Sequence, residues 1–161
     1  MILEQQVSLD SARATYDRLK NYLGTVTTTS LLKLNAEEWR QCAVSRQKAR
    51  YISLLCQKVE DGSFDFDDLT SMDDDQARDY LTQLVGVGPW TANVYLLFCL
   101  QRPDVWPSGD IALINMIKEM YDIPQEDVDA FVKRWQPHRS LAAYSLWHRY
   151  LTDRKRTVYY D

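Results

Sequence analysis

Two glycines and a proline at Gly86-Val87-Gly88-Pro89 interrupt two runs of helical pattern, and this short break constrains the fold more than any other feature. Glycine lets a backbone turn tightly and lie close to another surface with no Cβ in the way. Proline has no amide hydrogen and is tolerated in the first turn of a helix, so the second helix starts at Pro89 and runs through "WTANVYLLFCL". A helix, a tight turn and another helix follow. The N–H groups opening the second helix can donate to an anion, aided by the helix dipole. From the residues alone the turn has two readings: an ordinary helical corner or a grip on a phosphate.

The rest of the chain also reads with helical period. A long first helix is predicted from Met1 to about Leu23, ended by the threonine-rich loop "GTVTTTS". "NAEE" at 35–38 has the spacing of an N-cap and its partner, opening a short helix toward Trp39. From Ser45, a second cap, Ala49, Ile52, Leu55, Cys56 and Val59 fall at steps of three and four until Gly62. Residues 62–72 are acidic and irregular, and "SMDD" at 71–74 caps a helix toward Leu84. Further helices are predicted at 110–121, 125–135 and 139–153, after the break "RPDVWPSG". With no strand alternation or repeat, the class is all-α, and 161 residues suit one domain over 1–161.

No apolar run reaches the length of a membrane span, and the first twenty residues carry Glu4, Asp10, Arg13, Asp17 and Arg18, so neither a spanning helix nor a signal peptide is predicted. The expected address is intracellular: cytoplasm or nucleoid, or a nucleus. Cys42, Cys56 and Cys99 are odd in number, widely spaced and set among apolar residues, the pattern of reduced core thiols. There is no CxxC pair, and His138 and His148 lack cysteine neighbours, so no zinc or iron–sulfur site is expected.

The net charge of −4 conceals an uneven distribution. Residues 60–79 hold nine acidic groups and one basic, leaving 14 acidic and 18 basic elsewhere. Basic residues gather at Arg46, Lys48 and Arg50, at Lys133, Arg134 and Arg139, and at Arg149, Arg154, Lys155 and Arg156. They fit either a mildly basic binding face or solvated helix faces.

Asp110 follows Pro107-Ser108-Gly109 and precedes the periodic run "IALINMIKEMY", which is where an N-cap belongs. Amide donors and the helix dipole favour negative charge there, while burial opposes it. It reads as a helix cap, or as a fixed negative charge beside a cleft.

With these residues in place the chain resembles the helix–hairpin–helix DNA glycosylases that carry a Gly/Pro-rich loop and an aspartate (HhH-GPD), and within them the alkylpurine, or 3-methyladenine, glycosylases of class II. The resemblance is carried by "ILEQQVS" at 2–8, "SRQKARYISLL" at 45–55, "LVGVGPWTA" at 84–92, "DVWPSGDIAL" at 104–113 and "WQPHRSLAAYSLWHRYL" at 135–151, in the family's order over almost the whole chain. It implies a helical bundle with a cleft between helical subdomains, Asp110 as the catalytic aspartate, and Gly86, Val87, Gly88 and Thr91 in the DNA-anchoring hairpin. It further implies that the backbone carbonyls of Thr82, Leu84 and Val87 can hold a sodium or potassium ion, with no cofactor required. Trp90 stands where bifunctional relatives carry the lysine of their Schiff base, which implies an enzyme that stops at the abasic site. Gln6 falls at the position of the side chain that fills the hole left by an extruded base; its other reading is a polar residue at a helix end. Trp147 matches a pocket aromatic, yet Leu141, Tyr144, Trp147 and Leu151 also form a helical apolar stripe. Trp106 and Tyr95 are further pocket candidates.

The implied partner is double-stranded DNA containing damaged bases, met by a monomer away from membranes. Alternative functions are a glycosylase for hypoxanthine or ethenoadenine, and a non-catalytic DNA-binding module. "ILEQQVS" begins directly at Met1, where family members have preceding residues, so a compact form or one lacking an N-terminal extension is expected. Net acidity predicts weak, salt-sensitive binding.

Overall fold

In the computed structural model, which describes residues 1–154, capping side chains open five of the α-helices. The helices are α1 (Leu9–Leu23), α2 (Thr28–Leu32), α3 (Ala36–Gln41), α4 (Arg46–Glu60), α5 (Asp74–Thr82), α6 (Pro89–Phe98), α7 (Ile111–Tyr121), α8 (Val128–Phe131) and α9 (Arg139–Asp153). No strand occurs among the described residues, as the all-α pattern predicts. Asn35 Oδ1 accepts the amides of Glu37 (2.9 Å) and Glu38 (3.1 Å), while Glu38 accepts the Asn35 amide at 2.7 Å. That reciprocal box opens α3. Ser45 caps α4 through the Lys48 amide at 3.3 Å, and Pro89 occupies the first turn of α6.

Three boundaries differ from the sequence reading. The first helix starts at Leu9 rather than Met1, because Ser8 caps it through the Ser11 amide at 3.2 Å and Gln6 sits in left-handed backbone (φ 59°). Residues 1–7 form consecutive turns instead. The threonine-rich "loop" contains α2, which forms despite its β-branched residues because Thr27 and Ser30 make a capping box. The stretch 125–135 is not one helix but α8 between 3-10 turns at Gln125–Asp127 and Val132–Trp135. There the Arg134 Nε donates to the Phe131 carbonyl at 3.1 Å, one of the carbonyls at the end of α8.

The chain divides into two compact units. One comprises Met1–Asp73 and Asp79–Val87. Its core sets Leu19, Trp39, Cys42, Val44, Ala49, Ile52 and Cys56 together, with Leu31, Leu32 and Leu34 packed against them. Phe64 stacks on Tyr80 with ring centroids 4.5 Å apart, and the Tyr80 hydroxyl accepts the Asp65 amide at 3.1 Å and donates to Asp68 at 3.3 Å. Much of the acidic segment is thus spent on its own loop.

The other unit comprises Asp74–Arg78 and the chain from Gly88 onward. Leu96 and Leu97 of α6, Leu113, Met116 and Ile117 of α7, and Ala143 of α9 are fully or almost fully buried in it. An aromatic cluster of Trp106, Tyr121, Phe131 and Trp135 lies between the loop and helices α7 and α8. On α9 the buried positions are Ser140, Ala143 and Leu146, while Leu141 is 68% exposed. The large-residue stripe read from the sequence is therefore offset by one position, with Ser140, Ala143 and Leu146 facing inward. Among the described residues no helix is long and apolar enough to cross a membrane.

Candidate active site

The loop between α6 and α7 buries Val105, Trp106 and Pro107, then turns through Gly109 (φ +83°) to deliver Asp110 at the head of α7. The Asp110 amide closes that turn on the Pro107 carbonyl at 3.1 Å. Asp110 is 7% exposed, and both its oxygens have partners: Oδ1 accepts the Leu113 amide at 3.0 Å and Oδ2 accepts the Trp90 indole Nε1 at 3.0 Å. It is a helix cap, and it is also something more. A carboxylate held from two directions, at a helix N-terminus whose dipole favours negative charge, is a positioned anion with acceptor capacity left over. Trp90 itself is 42% exposed, so its ring face stays open while its N–H is engaged. The structure thus brings together a fixed negative charge and an open aromatic surface.

The turn before α6 assigns different tasks to its glycines. Gly86 has φ +88°, and a Cβ built there would lie 2.3 Å from the Tyr51 ring. Only glycine fits. Gly88 has extended backbone, caps α6, and would bring a Cβ near no atom within 4 Å. Its bare face is open. The Val87 amide is taken by the Leu84 carbonyl at 3.0 Å, and α6 opens after Pro89 with Trp90 and the buried Thr91. Leu84 O keeps one lone pair, and neutral carbonyl oxygens such as those of Thr82, Leu84 and Val87 suit an alkali cation.

The remaining candidates are placed as follows. Trp147 stacks on Phe98, with centroids 5.3 Å apart and planes at 23°. Phe98 is exposed and was not singled out in the sequence. Tyr95 is half-buried, which pushes its phenol up. Trp106 is buried and leans on Trp135, with centroids at 6.1 Å. Gln6 is exposed and belongs to the first unit, where it lines a polar pocket of about 150 Å³ with Gln5, Gln47, Lys48, Tyr51 and Gly86. There Gln5 Nε2 donates to the Gly86 carbonyl at 2.8 Å and Lys48 Nζ to the Leu3 carbonyl at 2.7 Å.

Several basic residues of the supposed binding face have internal partners: Arg134 lies over the Phe131 ring, Arg154 over Tyr150, Arg149 pairs with Asp153 and Arg139 with Asp104. Lys155 and Arg156 lie outside the described residues. Cys42 and Cys56 are buried, and burial pushes both thiols up, but Cys99 is exposed, contrary to its apolar surroundings in the sequence. Its position at the end of α6 turns it outward from the helix. Among the described residues no cluster of His, Cys, Asp or Glu is arranged to hold a metal ion. Sequence reasoning also missed the Arg78–Asn93 bond of 2.8 Å, in which a buried amide oxygen on α6 accepts from α5.

Comparison with known proteins supplies the family. The model of the HhH-GPD superfamily base excision DNA repair protein matches residues 1–137. YfjP of Bacillus subtilis, named as a candidate DNA-3-methyladenine glycosylase, is 30% identical over 158 residues, which take in 91% of this chain and 55% of YfjP. The chain thus spans little more than half the length of that relative. A DNA-3-methyladenine glycosidase structure from Bacillus halodurans superposes with TM-score 0.82 at 31% identity, covering 96% of this chain and 74% of that one. The Schizosaccharomyces pombe glycosylase Mag1, solved in complex with abasic DNA, shares the fold with TM-score 0.81 at 24% identity, over 91% of this chain and 75% of its own. On the extent of the family match, the chain belongs to the HhH-GPD superfamily of base excision DNA repair proteins.

Proposed function

We propose that the chain is a monofunctional DNA glycosylase that removes alkylated purines, such as 3-methyladenine and 7-methylguanine, from double-stranded DNA. The observation that carries the reading is the 3.0 Å bond from the exposed Trp90 indole to the buried Asp110 carboxylate. The names of the relatives agree with it, and the Mag1 complex holds the abasic product of such a reaction.

Glycosidic chemistry on a duplex requires the nucleotide to leave the stack, at a cost of a few kcal/mol that is lower for damaged bases. An alkylated purine carries positive charge and is a good leaving group. The open face of Trp90 attracts such a cation by about 0.5–2 kcal/mol, and Trp147 with Phe98 offers another aromatic surface. As the bond to the sugar breaks, charge develops on an oxocarbenium ion. Asp110, already oriented by Leu113 and Trp90, stabilises that ion and aligns the attacking water. A charge pair at about 4 Å in an effective dielectric near 20 is worth ~4 kcal/mol, about a thousandfold in rate. That suffices for a labile cationic base and is thin for a stable neutral one.

The bare face of Gly88 and the first N–H groups of α6 receive a backbone phosphate. Thr82, Leu84 and Val87 would present their carbonyl oxygens to a sodium or potassium ion. Gln6 would fill the space vacated by the extruded base. An indole in place of a lysine amine forms no Schiff base, so the reaction stops at the abasic site. Borohydride should then trap no covalent complex; a trapped band would refute monofunctionality.

The test is release of methylated bases from defined duplexes. Asp110→Asn should slow release about a thousandfold while binding to abasic DNA stays within severalfold. Undiminished release by the variant would overturn the assignment, and release of hypoxanthine alone by the wild type would move the substrate class.

A further inference from the structure

The helix α9 has no cap of its own. His138 precedes it without any side-chain bond to its first turn. Its leading N–H groups are instead satisfied by the loop that carries Asp110: the Arg139 amide donates to Asp104 Oδ1 at 3.2 Å and the Ser140 amide to the Pro103 carbonyl at 3.1 Å. The Arg139 guanidinium closes on the same residue, with Nε on Oδ1 at 2.7 Å and Nη2 on Oδ2 at 2.9 Å and on the Asp104 carbonyl at 3.0 Å. Ser140 completes the clasp, its buried hydroxyl donating to the Arg102 carbonyl at 2.5 Å and accepting the Val105 amide at 2.9 Å. Four consecutive loop residues, 102–105, are thereby tied to two helical ones.

Beyond this clasp the chain has almost no slack before the carboxylate. Val105, Trp106 and Pro107 are buried, Ser108 and Gly109 make the turn, and Asp110 follows. A fork of two parallel N–H···O bonds fixes angle as well as distance, which a single flexible ammonium does not. Resting on the reading of Asp110 as the reactive carboxylate, we propose that Asp104 and Arg139 are positioning residues that set the depth and direction of Asp110 against Trp90. They touch neither DNA nor the reacting atoms in this role; they act through the loop.

The variant to make is Arg139→Lys, which keeps the charge and loses the fork; Asp104→Asn, which keeps the shape and loses the charge, serves as the second. Two measurements are made on each, well below its unfolding temperature. The first is the Trp90 indole N–H resonance in a proton–nitrogen spectrum, identified by its absence in Trp90→Phe. It should shift, with faster hydrogen exchange. The second is single-turnover release of 7-methylguanine beside affinity for abasic DNA. Release should fall about tenfold to a hundredfold, the scale expected for a displaced catalytic group, with affinity within threefold. A role confined to stability would lower the unfolding temperature and leave both the indole signal and the release rate of folded protein unchanged; that result overturns the proposal. A moved indole with undiminished release in an active enzyme overturns it too. If the wild type releases no alkylated base while the indole still responds in both variants, the clasp stands and the proposed activity falls.

Discussion

Gly86 and Gly88 stand two residues apart in one turn, and the structure predicts opposite consequences for replacing them. At Gly86, alanine must adopt φ +88°, which costs an L-residue about 1–2 kcal/mol. Its Cβ would also sit 2.3, 2.6 and 2.7 Å from Cδ2, Cγ and Cε2 of Tyr51, a ring whose hydroxyl accepts Gln47 Nε2 at 2.6 Å. Displacing such a ring costs about 1–3 kcal/mol by overpacking. Alanine's smaller unfolded-state freedom returns about 0.4–1 kcal/mol. Gly86→Ala should therefore lose about 1–5 kcal/mol in urea unfolding. Adding Tyr51→Ala should recover the steric share and leave the backbone share, so the pair should be clearly non-additive. At Gly88 the backbone is extended and nothing lies within 4 Å, so alanine should change stability by less than about 1 kcal/mol, its weaker capping offset by chain entropy. Its methyl group would nevertheless stand on the proposed phosphate-binding face, and affinity for abasic DNA should drop severalfold. Gly86→Ala within about 0.5 kcal/mol of wild type, or strict additivity with Tyr51→Ala, would refute the packing argument.

Two further outcomes follow from the site. Trp90→Phe keeps an aromatic face but removes a hydrogen bond to a charged group, worth about 1.5–3 kcal/mol, so base release should slow by at least about tenfold with a smaller change in binding; equal rates would show that the indole N–H does not orient Asp110. The Arg139 hydrogen bonds hold the Asp104 carboxyl below its ordinary range. A carboxylate lowered in the folded state contributes stability above its unfolded value near pH ~3.9, and loses it as pH falls through the folded value. The unfolding temperature should therefore drop as pH falls below about 4, and Asp104→Asn should flatten part of that drop.

The local chemistry of helix ends was readable in the sequence, and long-range pairing was not. Asn35, Ser45, Pro89 and Asp110 each sit where their side-chain chemistry places a helix start, and each does start one. The same chemistry was legible at Ser8 and Thr27, but the apolar residues around "ILEQQVS" and the threonines after Gly24 suggested the opposite assignments. On α9 the apolar pattern favoured Leu141, whereas the structure buries Ser140, whose hydroxyl is claimed by a loop 35 residues earlier. Asp110 and Trp90 are 20 residues apart, and no local rule relates their side chains. The family likeness pointed to both residues; the direction of the indole had to come from the fold.

The borrowed cap of α9 bears on the order in which the protein is assembled. Asp110 and its helix leave the ribosome well before Arg139, yet the loop holding Asp110 has its hydrogen bonds completed only by that later segment. The family match itself ends at residue 137, two positions short of the clasp. A contact spanning 35 residues forms late relative to helix ends that close over three, because its loop entropy must be met before any bond repays it. The loop that carries Asp110 is therefore among the last features to be tied down. A chain halted before α9 would carry Asp110 and Trp90 and still lack the Arg139 and Ser140 bonds to the loop ahead of Asp110.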